Sequence, residues 1–405
     1  MIILHQIKKR RNFLKSSQTY KPKLIVLTSR FPYPLEKGDK LRAYYQLEEL
    51  NNNYDLHLIA LTEIDIKKEW ENEVAKFCKH IYIFKLSKIE KYFGTLLQVF
   101  TQKPFQVGYF TSQSKAKKIN RLLGKIQPDH IYCQLIRPAE YVKDYHACSK
   151  TIDYMDALSK GIERRMEKAS WFKKWFFKLE FDRLKNYEHK IFDYFEHHTI
   201  ITAQDREMIF HKERARIKII PNGVAPIFFN YSKKIEKKTD LLFTGNLSYP
   251  PNVEACKYLK EAIMPLLPEF KLQISGANPA AELRNIQNSN ITVTGWIDDI
   301  RDAYANAQIF IAPMFIGTGL QNKLLEAMAM GIPCITTSLA NNALGAVHNQ
   351  SILIANTQEE FIDAIQRLKR DQELYNNIKL EARKFVNKNF NWHSSSVRLI
   401  ELMKS

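Results

Sequence analysis

Residues 309–337 read IFIAPMFIGTGLQNKLLEAMAMGIPCITT and carry the pattern that decides the fold. The short apolar runs IFIAPMF (309–315) and CITT (334–337) are typical of buried strands. Between them, a Gly-Thr-Gly loop leads into a segment rich in Leu, Ala and Met, which predicts a helix. A strand, a loop, a helix and a second strand in this order form the repeating unit of a parallel sheet covered by helices.

The same alternation continues in both directions along the chain. Further strands are predicted at 23–29, 55–62, 80–86, 130–136, 199–205, 217–223, 239–247, 270–277, 291–296 and 351–355, and TIDYMDALS (151–159) begins like a strand. The segment PNGVAPIFFNYSKKIEKKTD (221–240) combines turn residues with a lysine run, which is typical of a linker. The pattern therefore predicts an α/β protein with two Rossmann-like, doubly wound parallel-sheet domains facing across a crevice.

Length and composition agree with two domains in a reducing compartment. The chain has 405 residues, 45% of them hydrophobic, and five scattered cysteines without a Cys-x-x-Cys pair. No apolar run reaches the length of a membrane-spanning helix, and the N-terminal charges follow a very short apolar run, unlike a signal peptide. These features predict a cytoplasmic protein with a basic N-terminal arm at 1–21.

Positive charge is concentrated in the first half of the chain. Residues 1–226 hold 42 Lys and Arg against 26 Asp and Glu, whereas residues 227–405 hold 19 against 17. This asymmetry favours an anionic partner such as a membrane surface, a charged lipid carrier or nucleic acid. A Lys-rich solvated face is the alternative.

The helix of the opening segment carries two charges on one face. Lys323 and Glu326 are three residues apart. A cation in a first helical turn opposes the helix dipole, and a bound anion would offset that cost. A carboxylate among four apolar neighbours requires hydrogen-bond donors, for which ribose hydroxyls are suitable. The segment thus predicts a phosphate-and-ribose site, and the alternative is a Lys323–Glu326 ion pair on an exposed face.

Two segments of the first half carry further candidates. In FPYPLEKGDKLR (31–42), Gly38 permits close backbone approach, Asp39 is predicted to cap the following helix, and Arg42 could reach an acidic group or simply be solvated. Asp153 and Asp156 form a pair of acids suited to binding or to structure.

The segment at 169–195 interleaves lysines with aromatic residues, beginning SWFKKWFFK. This composition is typical of an interfacial helix. The alternative is an ordinary helix that faces the other domain and has its aromatic residues in the core. No Asp-x-Asp motif is placed for a metal, so neither a metal nor a cofactor is expected.

Several motifs, in their order along the chain, resemble family 4 of the retaining glycosyltransferases, which have the GT-B architecture. They are IIPNGV, LLFTGNLSYPPNVEAC, ITVTGWIDDIRDAYANAQIFIAP, LLEAMAMGIPCITT and FNWHSSSVRLIELM. FPYPLEKGDKLRAYY and DYMDALS further resemble the sugar transferases of exopolysaccharide systems. The resemblance implies an acceptor-side domain at 22–225, a nucleotide-sugar domain at 226–387 and a C-terminal helix at 388–405 that returns to the first domain.

The resemblance, together with our own reading of Lys323, Arg42, Asp153 and Asp156, assigns roles to individual residues. The catalytic pair would be Lys323 and Glu326. Donor contacts would come from Gly38, Asn246, Gly317, Thr318, Gly319, Leu320, Lys323 and Glu326, and acceptor contacts from Asp39, Arg42, Asp153 and Asp156. The chain departs from the family at Thr318, where relatives carry the first Glu of a Glu-x7-Glu motif, and at Asn246, where many carry an Arg. We expect Lys323 to supply the missing positive charge.

The function that these features predict is retaining, metal-independent transfer of a sugar from a nucleoside-diphosphate sugar to a glycan or a lipid-linked acceptor. The expected setting is surface polysaccharide synthesis, peripherally on the inner face of the cytoplasmic membrane. A GT-B sugar-nucleotide epimerase is the alternative enzyme. A basic nucleic-acid-binding protein is the third reading, but no helix-turn-helix, zinc-finger or RNP pattern supports it, so no nucleic acid is expected as partner.

Overall fold

The computed structural model describes residues 21–167, 169–233, 235–316 and 319–405. The predicted basic arm, with its KKRR run at 8–11, lies outside them, as do Gly317 and Thr318.

The first sheet has seven strands in the order β3-β2-β1-β4-β5-β6-β7. The strands are β1 (Lys23–Thr28), β2 (Asp55–Thr62), β3 (His80–Lys85), β4 (His130–Gln134), β5 (Ser149–Asp153), β6 (His197–Ile200) and β7 (Lys218–Ile219). The strands pair in parallel, as β1 does with β2 and with β4. Residues 24–27 of β1 are fully buried apolar side chains, as expected for a strand covered on both faces.

The helices of this half of the chain follow the strands. They are α1 (Gly38–Leu50), α2 (Lys68–Val74), α3 (Lys88–Leu97), α4 (Phe105–Phe110), α5 (Gln113–Ile126), α6 (Leu158–Glu167), α7 (Trp171–Phe192), α8 (Ala203–Met208) and α9 (Pro226–Phe229). The predicted strand at 199–205 is too long, because Thr202 caps α8 by accepting a hydrogen bond from the backbone N–H of Asp205.

The second sheet has six strands in the order β10-β9-β8-β11-β12-β13, again with parallel pairings. They are β8 (Thr239–Thr244), β9 (Leu272–Ser275), β10 (Ile291–Gly295), β11 (Ala307–Ala312), β12 (Cys334–Thr336) and β13 (Leu353–Ile354). The associated helices are α10 (Pro250–Tyr258), α11 (Ala281–Arg284), α12 (Ile300–Asn306), α13 (Asn322–Ala329), α14 (Ser338–Leu344), α15 (Gln358–Arg370), α16 (Gln372–Asn389) and α17 (Trp392–Lys404). The predicted α/β class with two parallel sheets is confirmed.

The chain forms two compact units. Among the described residues, unit 1 comprises 21–153 with 193–196, and unit 2 comprises 154–192 with the part of the chain from 197 onward. The domain boundaries proposed from the sequence, including the return of the C-terminal helix to the first domain, stay predictions. Within unit 2, the PNG turn at 221–223 lies against the start of α17, since a Cβ on Gly223 would come 2.3 Å from the backbone nitrogen of Trp392.

Candidate functional site

Glycines lie at the carboxyl ends of three neighbouring strands of the second sheet. Gly245 follows β8, Gly276 follows β9, and Gly295 ends β10. A Cβ on Gly276 would lie 1.7 Å from the carbonyl oxygen of Gly245, so no other residue fits there without a backbone shift. Ligands of parallel α/β sheets bind at this edge, and the small residues let a ligand approach the backbone closely.

Helix α13 points its first turn at the same edge and carries Lys323. The Lys323 ammonium donates to the side-chain oxygen of Asn252, lies 4.8 Å from the ring centroid of Phe243 in β8, and is 3.7 Å from the sulfur of Met314. Burial lowers the pKa of Lys323 from 10.5 to about 8. No carboxylate among the described residues forms an ion pair with it. A bound anion would therefore offset the free-energy cost of burying this positive charge.

Glu326 lies one turn further along α13 and is also partly buried. Its carboxylate accepts a hydrogen bond of 2.9 Å from the hydroxyl of Tyr304, and that hydroxyl is 2.8 Å from the hydroxyl oxygen of Thr244. Burial raises the pKa of Glu326 from 4.5 to about 7, against the opposing effects of the Tyr304 hydrogen bond and of Lys323. Lys323 and Glu326 therefore have separate partners, and the exposed ion pair considered from the sequence is wrong.

The loop after β8 contributes two asparagines with different tasks. Asn246 accepts hydrogen bonds from the backbone N–H and the hydroxyl of Ser248, so its side chain stabilises its own turn. Asn252 is buried, donates to the Asn246 carbonyl (2.8 Å) and accepts from Lys323. Asn252 thereby joins the loop to α13 and fixes the position of the cation.

Two of the predicted donor residues lie just before the start of α13. Gly319 and Leu320 are both partly buried, and the side chain of Gln321 donates to the Gly319 carbonyl at 2.8 Å. Space for a Cβ is open at Gly319, as it is at Gly38, the exposed first residue of α1 in unit 1. Packing alone therefore does not explain either glycine.

Asp39 does not cap α1, contrary to the sequence prediction. The helix begins at Gly38, two residues before the predicted start at Lys40, with Lys37 at the N-cap and no side-chain cap. Asp39 lies in the first turn, where the positive end of the helix dipole stabilises its negative charge. Its carboxylate accepts a hydrogen bond from Arg30.

Arg42 and Asp153 form an ion pair in the interior of unit 1. The Nε of Arg42 donates to Asp153 at 2.6 Å, and both side chains are 0% exposed. The Tyr132 hydroxyl also donates to Asp153 (2.7 Å) and lies 2.9 Å from the side-chain oxygen of Gln46. A solvated Arg42 is thereby ruled out. The assignment of this pair to the acceptor stays a prediction, and contact with a ligand would require the pair to be uncovered.

Asp156 is exposed and belongs to unit 2 together with the loop after β8. The pKa of Tyr249 in that loop is raised, first by burial and then by the charge of Asp156, while Arg165 and Arg164 act in the opposite direction. The acceptor candidate Asp156 therefore lies within electrostatic range of the loop that holds the donor candidate Asn246.

Sequence reasoning missed three residues of this site: Tyr304, Asn252 and Gly276. The repeated Thr-Gly and Ser-Gly dipeptides after β8, β9 and β10 were a usable signal for the glycines. Nothing local distinguished Tyr304 or Asn252, because their partners are 22 and 71 residues away.

Two further findings concern the residues that the structure describes. They contain no group of three or more His, Cys, Asp or Glu side chains arranged to hold a metal ion. In the same parts of the chain, no helix combines the length and the apolar character needed to span a bilayer.

Comparisons with known proteins find relatives of this chain. The sequence is 24% identical over 392 residues to an uncharacterized 44.6 kDa protein in the cps region of Klebsiella pneumoniae, covering 91% of this chain and 96% of that one. It is 29% identical over 186 residues to the Escherichia coli UDP-Gal:alpha-D-GlcNAc-diphosphoundecaprenol alpha-1,3-galactosyltransferase, covering 39% and 46%.

Solved structures show the same fold at low identity. A glycosyltransferase from Rickettsia africae matches with a TM-score of 0.67 at 14% identity, covering 95% of this chain and 98% of that one. Anabaena HepE, solved with UDP and glucose, matches with a TM-score of 0.67 at 12% identity, covering 94% and 99%.

The two parallel sheets and these neighbours show that the chain has the GT-B fold of those glycosyltransferases. Residues 238–371, which contain the glycine edge and α13, match the family described as Glycosyl transferases group 1. The chain thus carries a domain of that family, and the resemblance seen in the sequence motifs is confirmed.

Proposed function

We propose that this protein transfers a sugar from a nucleoside-diphosphate sugar to a glycan or lipid-linked acceptor during surface polysaccharide synthesis. The observation that carries the proposal is the pair of partly buried charges on α13, Lys323 and Glu326, directed at a glycine-bearing sheet edge. The Klebsiella relative from the cps region and the Escherichia coli galactosyltransferase support the setting.

Within this proposal the two charges bind different parts of the donor. Lys323 compensates the charge of the diphosphate, since no other cation is bonded into the loop around Asn246 in the described structure. Glu326 accepts hydrogen bonds from the ribose hydroxyls. The backbone at Gly319 and Leu320 meets the diphosphate or the sugar, and HepE, a protein of this fold, was solved with UDP-glucose. The donor contacts expected at Gly38, Gly317 and Thr318 stay predictions.

The proposed reaction retains the anomeric configuration and uses no metal. The bond between the anomeric carbon and the phosphate oxygen breaks, and the acceptor oxygen bonds to that carbon. The acceptor's proton passes to a phosphate oxygen of the departing nucleotide. Lys323 stabilises the negative charge that develops on the leaving diphosphate.

The proposed acceptor side has two kinds of residues. Asp156 is exposed and Asp39 is partly so, which suits direct contact with hydroxyl groups of an acceptor. Arg42 and Asp153 are covered, so they would act from beneath by holding the end of β5 and the start of α1 in place.

The proposed location is the inner face of the cytoplasmic membrane, without a membrane-spanning helix. The aromatic residues at the start of α7 support this location: Trp171, Phe172, Trp175 and Phe176 are 45–84% exposed, and lysines alternate with them. The alternative of aromatic residues in the core is wrong for these four side chains, but it holds for Phe181, Tyr187 and Phe192 further along α7, which are buried.

A panel of nucleoside-diphosphate sugars tests the donor half of the proposal. The matching donor should raise the melting temperature by mass action, and glycosyl transfer to a membrane extract should follow with the radiolabelled form. Release of an isomerised nucleotide sugar without any acceptor would instead identify an epimerase. Retention is read from the anomeric NMR signals of the product, and loss of activity in EDTA that returns with magnesium or manganese would refute metal independence.

A further inference from the structure

Helix α3 in unit 1 exposes an apolar face to solvent. Six large side chains from this helix and the turn after it are 55–84% exposed; the α3 face consists of Ile89, Tyr92, Phe93, Leu96, Val99 and Phe100. Their spacing places them within roughly one third of the helical circumference. A contiguous exposed surface of this kind is uncommon on a protein that stays free in solution.

The opposite side of α3 is held to unit 1 by close and polar contacts. Gly94 packs on α4 so tightly that a Cβ would lie 2.3 Å from the carbonyl oxygen of Gly108. A capping box joins Ser87 and Glu90, and Glu90 also accepts from Ser112 (2.7 Å). The pKa of Glu90 is lowered to about 2, because these hydrogen bonds outweigh its desolvation. The helix is therefore firmly anchored with its apolar side outward, the reverse of an ordinary surface helix.

Positive charge surrounds the α3 face. Residues 85–125 contain nine Lys and Arg and a single acid, Glu90. Five of the nine are exposed and form no ion pair with any residue that the structure describes: Lys88, Lys117, Lys118, Arg121 and Lys125. Four of these five belong to α5, which directly follows α4.

We infer that the α3 face inserts into the interfacial layer of an anionic lipid bilayer, while the cations of α5 bind lipid phosphates. An apolar helical face flanked by exposed cations matches both components of a membrane surface, the acyl boundary and the negative headgroups. A second copy of the chain fits less well, because two such surfaces would bring their positive charges together. This inference deepens the membrane association proposed above and rests on it, and it is independent of the donor chemistry.

Flotation of the full chain with vesicles tests the inference. Vesicles of equal parts phosphatidylglycerol and phosphatidylcholine should carry the protein to the top of the gradient, and pure phosphatidylcholine should carry much less. Phe93→Ser with Phe100→Ser should reduce flotation on the order of tenfold or more, because the variant lacks two aromatic rings that would be buried in the bilayer. Leu380→Ser, at an exposed apolar position of α16, is the matched control and should float as the unchanged protein does.

Hydrogen exchange locates the contact on the unchanged protein. Vesicles should slow amide exchange at 88–100. Slower exchange at 171–178 alone would overturn this inference and leave the membrane association through α7 intact. Slowing at 88–100 that depends on protein concentration and needs no vesicles would show a second copy on the α3 face. Displacement of the vesicles by RNA or DNA with no effect of the Phe93 and Phe100 changes would show nucleic-acid binding. Nucleotide affinity, measured in parallel, should be the same in the Phe93→Ser, Phe100→Ser variant, which separates this test from the donor proposal.

Discussion

Replacing Glu326 by Gln separates the effect of this carboxyl on folding from its proposed part in binding, because the two effects have opposite signs. The carboxylate accepts one hydrogen bond, from Tyr304, and burial raises its pKa to about 7. A glutamine can keep that hydrogen bond and carries no charge. We therefore expect Glu326→Gln to stabilise the free protein and to weaken nucleotide binding.

The effect on stability follows from the raised pKa. A carboxyl whose pKa is higher in the folded than in the unfolded state loses stabilisation as the pH rises from 4.5 through about 7. The difference between the two pKa values would correspond to about 3 kcal/mol of unfolding free energy, and the partial exposure of Glu326 to solvent reduces it. We therefore expect the free energy of unfolding of the variant to be about 1–2 kcal/mol higher at pH 8. Below pH 4.5 both forms are neutral and the gain should disappear.

The effect on binding follows from the charge of the acceptor atoms. Hydrogen bonds to an ionised group contribute about 1.5–3 kcal/mol, so the variant should bind the nucleotide roughly 10–100-fold more weakly at pH 8. In the unchanged protein, affinity should fall up to about tenfold per pH unit below pH 7, because Glu326 must lose a proton before it can accept. It should also fall above about pH 8, where Lys323 becomes neutral. In Glu326→Gln, the fall in affinity below pH 7 (the acidic limb of the pH profile) should be absent, and the fall above about pH 8 should remain.

Calorimetric titration with nucleoside diphosphate across this pH range, together with thermal unfolding, measures both effects. Glu373→Gln, at an exposed position of α16, is the control and should change neither. If Glu326→Gln destabilises the protein at pH 8 and leaves nucleotide affinity and its pH profile unchanged, the carboxyl is structural and the reasoning fails.

Three further changes test the neighbouring contacts. Tyr304→Phe removes a hydrogen bond that lowers the pKa of Glu326, so the acidic limb of the binding profile should move to higher pH; an unmoved limb would contradict the role of that hydroxyl. Asn252→Ala leaves the Lys323 ammonium without its acceptor, and nucleotide affinity should fall on the order of tenfold by calorimetry, whereas a change in melting temperature alone would point to packing. Arg42→Met leaves Asp153 buried without its counter-charge and should cost about 3–5 kcal/mol in urea unfolding; an unchanged midpoint would show that the pair is not held as the structure indicates.

The strands were largely predictable because each depends on a local run of apolar residues. The expected starts of β1, β2, β3 and β4 coincide with the observed ones. The predicted strands at 217–223 and 351–355 shrink to two residues each, β7 and β13, at the ends of their sheets. At a sheet edge, pairing on one side only determines how far a strand extends, and that partner lies elsewhere in the chain.

Pairings between distant residues were not predictable. Arg42 and Asp153 were both singled out, as separate candidates for an acceptor, yet they bond to each other across 111 residues of sequence. Asp39 was predicted to cap α1 from the composition of the segment, but the helix begins two residues earlier than predicted and Arg30 donates to the Asp39 carboxylate. In each case the type of side chain indicated that it would interact with a charged group, but the sequence did not reveal which residue that partner would be.

The sequence by itself determined the α/β class, the two parallel sheets, and the helix on which Lys323 and Glu326 lie, because periodicity, glycine placement and helix spacing are local properties. Only the tertiary structure decided that Asn252 holds Lys323, that Tyr304 holds Glu326, and how far burial moves their pKa values. It also decided that the apolar residues of α3 and of the start of α7 face solvent, since an amphipathic sequence does not state which of its faces the rest of the chain will cover.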